Sequence, residues 1–262
     1  MYTVRQKRGK ELEKRTGISR EYIRIRRDKS EIITFGGDQS FFDSESASKK
    51  DRRKKECGCG IIAFSDLLLY LGNRDCAYRI PETEPYLNHV LCQKEYQNYY
   101  NTIYRFLGGL PFKGGISSLR LMVMLNRLSL RQGWGMRAIW GFSGKKLFDR
   151  TKRMLSEDIP VILCIPMMLL KKDKRDGIRL YERTEEKDRS FHYHEKAFTR
   201  AHYVMVTGIV EEEKDSYYEI SSWGKKYYMN CTEYDILIKT HFLGTILGNI
   251  LYIRQRKRKG TE

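Results

Sequence analysis

Cys59 stands at the head of an apolar run, in Glu56-Cys57-Gly58-Cys59-Gly60-Ile61-Ile62-Ala63-Phe64, which continues to Leu69-Tyr70-Leu71-Gly72. Far downstream come Ala201-His202-Tyr203-Val204-Met205-Val206-Thr207-Gly208 and Ile220-Ser221-Ser222-Trp223-Gly224. A thiol, an imidazole and a pair of hydroxyls beside a tryptophan are the parts needed for nucleophilic attack on an acyl carbon. The thiolate is the attacking species, and the partial positive charge of a helix N-terminus favours it over the thiol. Imidazole titrates near neutral pH, so it suits the task of taking and returning a proton. A third group must then fix the tautomer of that imidazole.

These side chains need rigid elements to hold them. The apolar run predicts a helix from about Gly60 to Leu71, with Gly72-Asn73 as its stop. Cys59 then opens that helix, Gly60 allows close backbone approach, and the Cys59 N–H points to where an oxyanion would form. His202 opens a segment rich in β-branched residues, so its ring projects from a strand. Ser221 and Ser222 lie on the next strand across a hairpin, and Trp223 can shield a hydrogen bond there from water. Glu219 shares a face with Ser221 by period-2 alternation and is another possible partner for the imidazole. His192 and His194 fall in a polar stretch and read as exposed. Together with Cys57 and Cys59 they would make a two-Cys, two-His zinc set, but their one-residue spacings are shorter than the usual two to four.

Further elements follow from periodicity. Helical patterns cover Tyr86–Leu107, Ser117–Arg131 (Leu121, Met124, Leu125, Leu128 on one stripe) and Lys145–Leu155. Short strands are expected at Ile32–Phe35, Val161–Ile165, Arg179–Tyr181 (an edge strand), His202–Val210, Tyr217–Trp223, Lys226–Met229 and Ile250–Arg254, with a charged hairpin loop at Glu211–Ser216. Thr232-Glu233-Tyr234-Asp235 resembles a capped helix start. Residues 43–56 are polar throughout and read as a loop. Helices first and an antiparallel sheet second make the expected class α+β. The expected organisation is a basic N-terminal arm over 1–31 (an arm or a weakly held helix, with Lys10 and Lys14 at helical spacing), one domain over 32–254 and a basic tail over 255–262.

The chain has 262 residues and a net charge of +17, with 18 tyrosines that set it apart from a disordered polymer. Residues 1–55 carry 17 Lys and Arg against 9 Asp and Glu. Basic ends attract polyanions in general. The sequence carries neither an aromatic-interleaved basic motif nor a recognisable nucleic-acid fold, so nucleic acid is not the expected partner. Six cysteines in a chain this long do not read as a disulfide framework. With no apolar stretch long enough to span a bilayer and no signal-peptide pattern, a cytoplasmic setting is expected.

The motifs resemble the papain-like cysteine peptidase clan and look closest to the bacteriocin-processing, double-glycine-type peptidases. In that group a Cys-Gly opens a helix that closes on a Tyr-Leu-Gly-like stretch, as Cys59-Gly60 to Tyr70-Leu71-Gly72 does. This register selects Cys59 over Cys57. His202 to Gly208 is similar to the family's histidine strand, and Ser221-Ser222-Trp223-Gly224 is similar to its Asn-Ser-Trp-Gly. The resemblance covers roughly 36–71 and 160–229. It implies a papain-like fold, with an N-terminal helical part packed on a C-terminal antiparallel β-sheet. It also implies Cys59 as nucleophile, His202 as base, Ser221 as the orienting group and Gln39 as an oxyanion donor. The expected function is a cysteine peptidase-like hydrolase of peptide or amide bonds, with a peptide or protein substrate and no cofactor or metal. A catalytically inactive papain-like binding module, or an amidase or acyltransferase on the same fold, are the alternatives.

Overall fold

A computed structural model describes residues 4–8, 11–28, 30–44, 47–110, 114–166, 177–185, 191–240 and 243–255. In chain order its elements are β1 (Val4–Arg8), β2 (Glu11–Gly17), β3 (Arg24–Arg26), β4 (Ile33–Phe35), α1 (Lys49–Cys57), α2 (Cys59–Arg74), β5 (Leu91–Cys92), α3 (Gln93–Phe106), α4 (Ser118–Arg131) and β6 (Met136–Trp140). There follow α5 (Leu147–Ser156), β7 (Val161–Ile165), β8 (Ile178–Glu185), β9 (Phe191–Thr199), β10 (His202–Glu211), β11 (Ser216–Ser222), β12 (Lys225–Asn230), α6 (Cys231–Lys239), α7 (Gly244–Leu247) and β13 (Leu251–Gln255). The class is α+β, with antiparallel pairing dominating its sheets. The chain divides into two compact units. One is helical, Ile23–Trp140 with Leu251–Glu262, and the other is built on a sheet, Met1–Tyr22 with Gly141–Ile250.

The core of the helical unit is α2, in which every residue from Gly60 to Gly72 is buried. A helix buried on every side can be satisfied only by neighbours all round, and its carboxylate, Asp66, accepts from the Gly37 N–H at 3.0 Å. Each of its large apolar side chains contributes about 1.5–3 kcal/mol by leaving water. From α3, Tyr96, Tyr99, Tyr100 and Ile103 are buried, the i, i+3, i+4, i+7 face of that helix. Leu121, Leu125, Leu128 and Ser129 are the buried residues of α4, which packs on β6 and β13.

The sheet unit has the order β1-β2-β10-β11-β12-β8-β9. Along one edge of β10, β7 pairs with His202–Val206 and β2 with Gly208–Glu211, end to end. β10 is therefore flanked on both sides and almost wholly buried. On α5, Leu147, Thr151, Met154 and Leu155 form the buried stripe.

Several expectations need correction. Part of the 43–56 loop is α1, whose N-cap is Ser48. It has no apolar stripe. Its buried Lys54 holds Asp51 at 2.6 Å and lies over the rings of Phe42 and Tyr104, and such contacts leave no periodic signal. Within the expected 1–31 arm, β2 joins the main sheet. Its charges are matched by distant partners, Arg15 by Glu219 at 2.9 Å and Glu13 by Arg183 at 2.6 Å. The helix expected from Tyr86 begins at Gln93, because Asn88 takes a left-handed φ of 63° and Leu91–Cys92 pair with β3. β8 is an inner strand, with β9 beyond it. The last strand, β13, pairs with β6 in a separate two-stranded sheet. The helix near Thr232 starts at Cys231, and its cap is Asn230. Lys10 and residues 256–262 of the basic tail lie outside the described residues. No described helix is long and apolar enough to cross a membrane.

Candidate functional site

Cys59 is the first residue of the 16-residue α2, and Gly58 is its cap. Gly58 is required by packing. A Cβ there would lie 2.2 Å from the Lys54 carbonyl oxygen and 2.7 Å from the Tyr100 hydroxyl. The Gly58 N–H closes α1 on Lys54 O at 2.9 Å, and its own carbonyl accepts from Ile61 and Ile62 at 3.0 Å, opening α2. One glycine thus ends one helix and begins the next. The two neighbouring cysteines consequently meet opposite fields. Cys57 sits at the negative end of α1 and Cys59 at the positive end of α2. Burial, with the Glu56 carboxylate in addition, pushes the Cys57 thiol up, against the opposing charge of Arg53. No disulfide joins any of the six cysteines.

Gln39 lies in a 3-10 turn, Gln39–Phe42, capped by Asp38. Its side-chain amide is buried against the last turn of α1 and donates to the Lys55 carbonyl at 2.6 Å. The intervening α1 explains how a glutamine 20 positions before the cysteine returns to its vicinity: the turn packs on that helix. An amide nitrogen carries two hydrogens, and this bond uses one of them.

In the sheet unit, His202 follows Ala201, whose φ is 54°, and opens β10 at the pairing His202↔Ile165. It is 7% exposed. Its Nε2 lies 2.9 Å from Ser222 Oγ, and its ring stacks on Trp223 with centroids 4.7 Å apart and planes 21° apart. Nδ1 has no hydrogen-bond partner among the described residues. Trp223 (φ 48°) and Gly224 (φ 68°) form the two-residue turn between β11 and β12. Two left-handed residues are what a tight hairpin of this type needs. A tryptophan tolerates that backbone poorly, and here the conformation carries its indole over the imidazole. Burial lowers the His202 pKa to about 4, so the ring is neutral near pH 7.

Strand register decides which hydroxyl meets the imidazole. The pairings Met205↔Ser221 and Val206↔Ile220 put Ser221 on the face of Met205. His202 lies on the opposite face, an odd number of residues away, and that is the face of Ser222. Ser221 and Glu219 share the other face. There Glu219 binds Arg15 at 2.9 Å and accepts from Thr207 Oγ1 at 3.0 Å, with Lys226 at 3.5 Å. Burial acts to raise the Glu219 pKa, but the charges of Arg15 and Lys226 and these hydrogen bonds outweigh it and lower the pKa. The imidazole's hydroxyl partner is therefore Ser222 and not Ser221. Alternation along the Ser-Ser pair carried that choice in the sequence, but it could not be used without the register.

His192 and His194 lie on the outer strand β9, and His194 Nε2 is 3.1 Å from Thr184 Oγ1. Among the described residues no cluster of three or more His, Cys, Asp and Glu has the arrangement of a metal site. Comparison with known proteins finds no matching family model, no matching curated protein and no matching solved structure.

Proposed function

We propose that this chain is a cysteine hydrolase of the papain-like type, acting on a peptide or amide bond, with Cys59 as nucleophile and His202 as the proton-transfer group. The observation that carries the reading is the His202 environment. A buried imidazole is held through Nε2 by Ser222 under the Trp223 ring, and its Nδ1 is left for another group. If Ser222 Oγ accepts from Nε2–H, Nδ1 carries a lone pair and acts as a base. Cys59 at the positive end of α2 supports the reading from the helical unit.

In this mechanism the Cys59 sulfur gives up its proton to Nδ1 and bonds to the carbonyl carbon. The carbonyl π pair moves to oxygen, where the Cys59 N–H and the second Gln39 N–H are the assigned donors. Collapse of that intermediate breaks the C–N bond, and the leaving amine takes the proton from Nδ1. Water then adds to the thioester with Nδ1 as base, and the thiol departs. The substrate class is a peptide or protein, and the setting a reducing cytoplasm that keeps the thiol available.

One observation favours a second reading, a binding module of this type without turnover. The orienting group is a hydroxyl, which can donate to Nε2 as readily as accept and so admits the tautomer with Nδ1–H. Labelling with a thiol-directed electrophile at neutral pH, located by peptide mapping, separates the two. A hydrolase labels rapidly and selectively at Cys59, and Cys59→Ala abolishes both this label and amide cleavage. Slow labelling at every cysteine would support the module, and rapid labelling at Cys57 would refute the assignment of Cys59.

A further inference from the structure

Three tyrosines of α3 are fully buried, and they are not alike. Tyr96 donates its hydroxyl to the Asp66 carboxylate at 2.7 Å, and Tyr99 donates to the Ser65 carbonyl at 3.0 Å. The Tyr100 hydroxyl is buried and has no hydrogen-bond partner among the described residues. Phenylalanine would fill the same space without leaving a polar group unsatisfied, so this hydroxyl calls for a reason.

Its position suggests one. The Tyr100 oxygen lies where a side chain on Gly58 would begin, 2.7 Å from that Cβ position, and Gly58 is the cap of α2 next to Cys59. The ring is fixed by Phe42, with centroids 4.5 Å apart, and by Tyr104 at 6.2 Å. Burial, then the neighbouring Cys59, Tyr104 and Cys57, hold the phenol well above its ordinary range. The group is therefore a protonated donor at any physiological pH. Lys54, which lies over the neighbouring Phe42 and Tyr104 rings, is engaged by Asp51.

We propose that ionisation of Cys59 supplies the missing acceptor: the sulfur, which is not a partner of this hydroxyl while it is a thiol, takes a hydrogen bond from the Tyr100 O–H as a thiolate, so that the anion is stabilised by a phenol as well as by the helix terminus. The proposal rests on the reading of Cys59 as the nucleophile. A hydrogen bond to the charged form favours that form, so losing the donor shifts the thiol's titration upward.

The test is iodoacetamide alkylation as a function of pH in the wild type and in Tyr100→Phe, read by peptide mapping so that Cys57 and Cys59 are followed separately, with the thermal midpoint of each protein. The wild-type Cys59 midpoint should fall below the ordinary thiol value of about 8.5. Tyr100→Phe should raise it by about one pH unit, a tenfold loss of thiolate, with the Cys57 profile unmoved. Thermal stability should hold or rise, because the variant removes an unsatisfied hydroxyl. A low wild-type midpoint that is the same in Tyr100→Phe would overturn the role of Tyr100 and leave Cys59 standing. An ordinary wild-type midpoint would overturn both. A fall in thermal midpoint without a change in the alkylation profile would show a structural hydroxyl and likewise overturn the proposal.

Discussion

The start of α2 and the start of β10 present their reactive groups by different means. Cys59 is placed by its immediate neighbours: Gly58 ends α1, and the apolar residues behind Cys59 drive α2 into the core. His202 is placed by partners far along the chain, with Ile165 across from it, Ser222 at its Nε2 and Trp223 on its ring. A helix terminus can be read from a contiguous segment. A strand residue's partner depends on register, and a shift of one residue exchanges the faces of the strand. The two regions also differ in polarity. A helix terminus stabilises an anion by its position alone, whereas burial of the imidazole disfavours its charged form.

That contrast predicts an acid-sensitive histidine region. An unfolded histidine takes up a proton near its ordinary 6.5, but folded His202 does so only near 4. Between these values the unfolded chain binds more protons, so stability falls as pH drops from about 6.5 to about 4 and is level in this respect above 6.5. The loss should approach about 3 kcal/mol if the group acts alone. Urea unfolding across this range should show that slope in the wild type and a flatter one in His202→Gln. Equal slopes would place the acid sensitivity elsewhere, for instance at Glu219, whose lowered pKa adds a separate loss at still lower pH.

A smaller effect separates the two serines. Removing one hydrogen bond of about 1 kcal/mol is worth roughly a factor of ten or less. Ser222→Ala should lower kcat/KM about fivefold, while Ser221→Ala, on the other face of β11, should leave it within about twofold. The reverse order would mean that β11 pairs in a different register from Met205↔Ser221.

The elements that hold the reactive groups were largely legible in the sequence. The apolar run gave α2, and β-branched density gave β10, because in both cases burial follows the local pattern. The parts held by charge were not legible. β2 is a charged strand whose Arg15 meets Glu219 some 200 positions later, and α1 is stabilised by its Ser48 cap and by Lys54 over aromatic rings. Neither has an apolar period to detect. The proposed site takes Cys59 and His202 from residue type alone, whereas the hydroxyl beside the imidazole was not legible, because the choice between Ser221 and Ser222 is made by pairing geometry. The Tyr100 hydroxyl was also invisible, since only three-dimensional packing shows which of three neighbouring tyrosines lacks a partner.

The most direct test of the Cys59–His202 mechanism is the pH dependence of Cys59 alkylation, followed at that residue alone, in the wild type and in His202→Ala. If the imidazole serves the thiol, the wild type should react well below pH 8 and the variant's midpoint should move up by one pH unit or more. Identical profiles in the two proteins would mean that the thiol and the imidazole do not act together, and the hydrolase mechanism would be wrong.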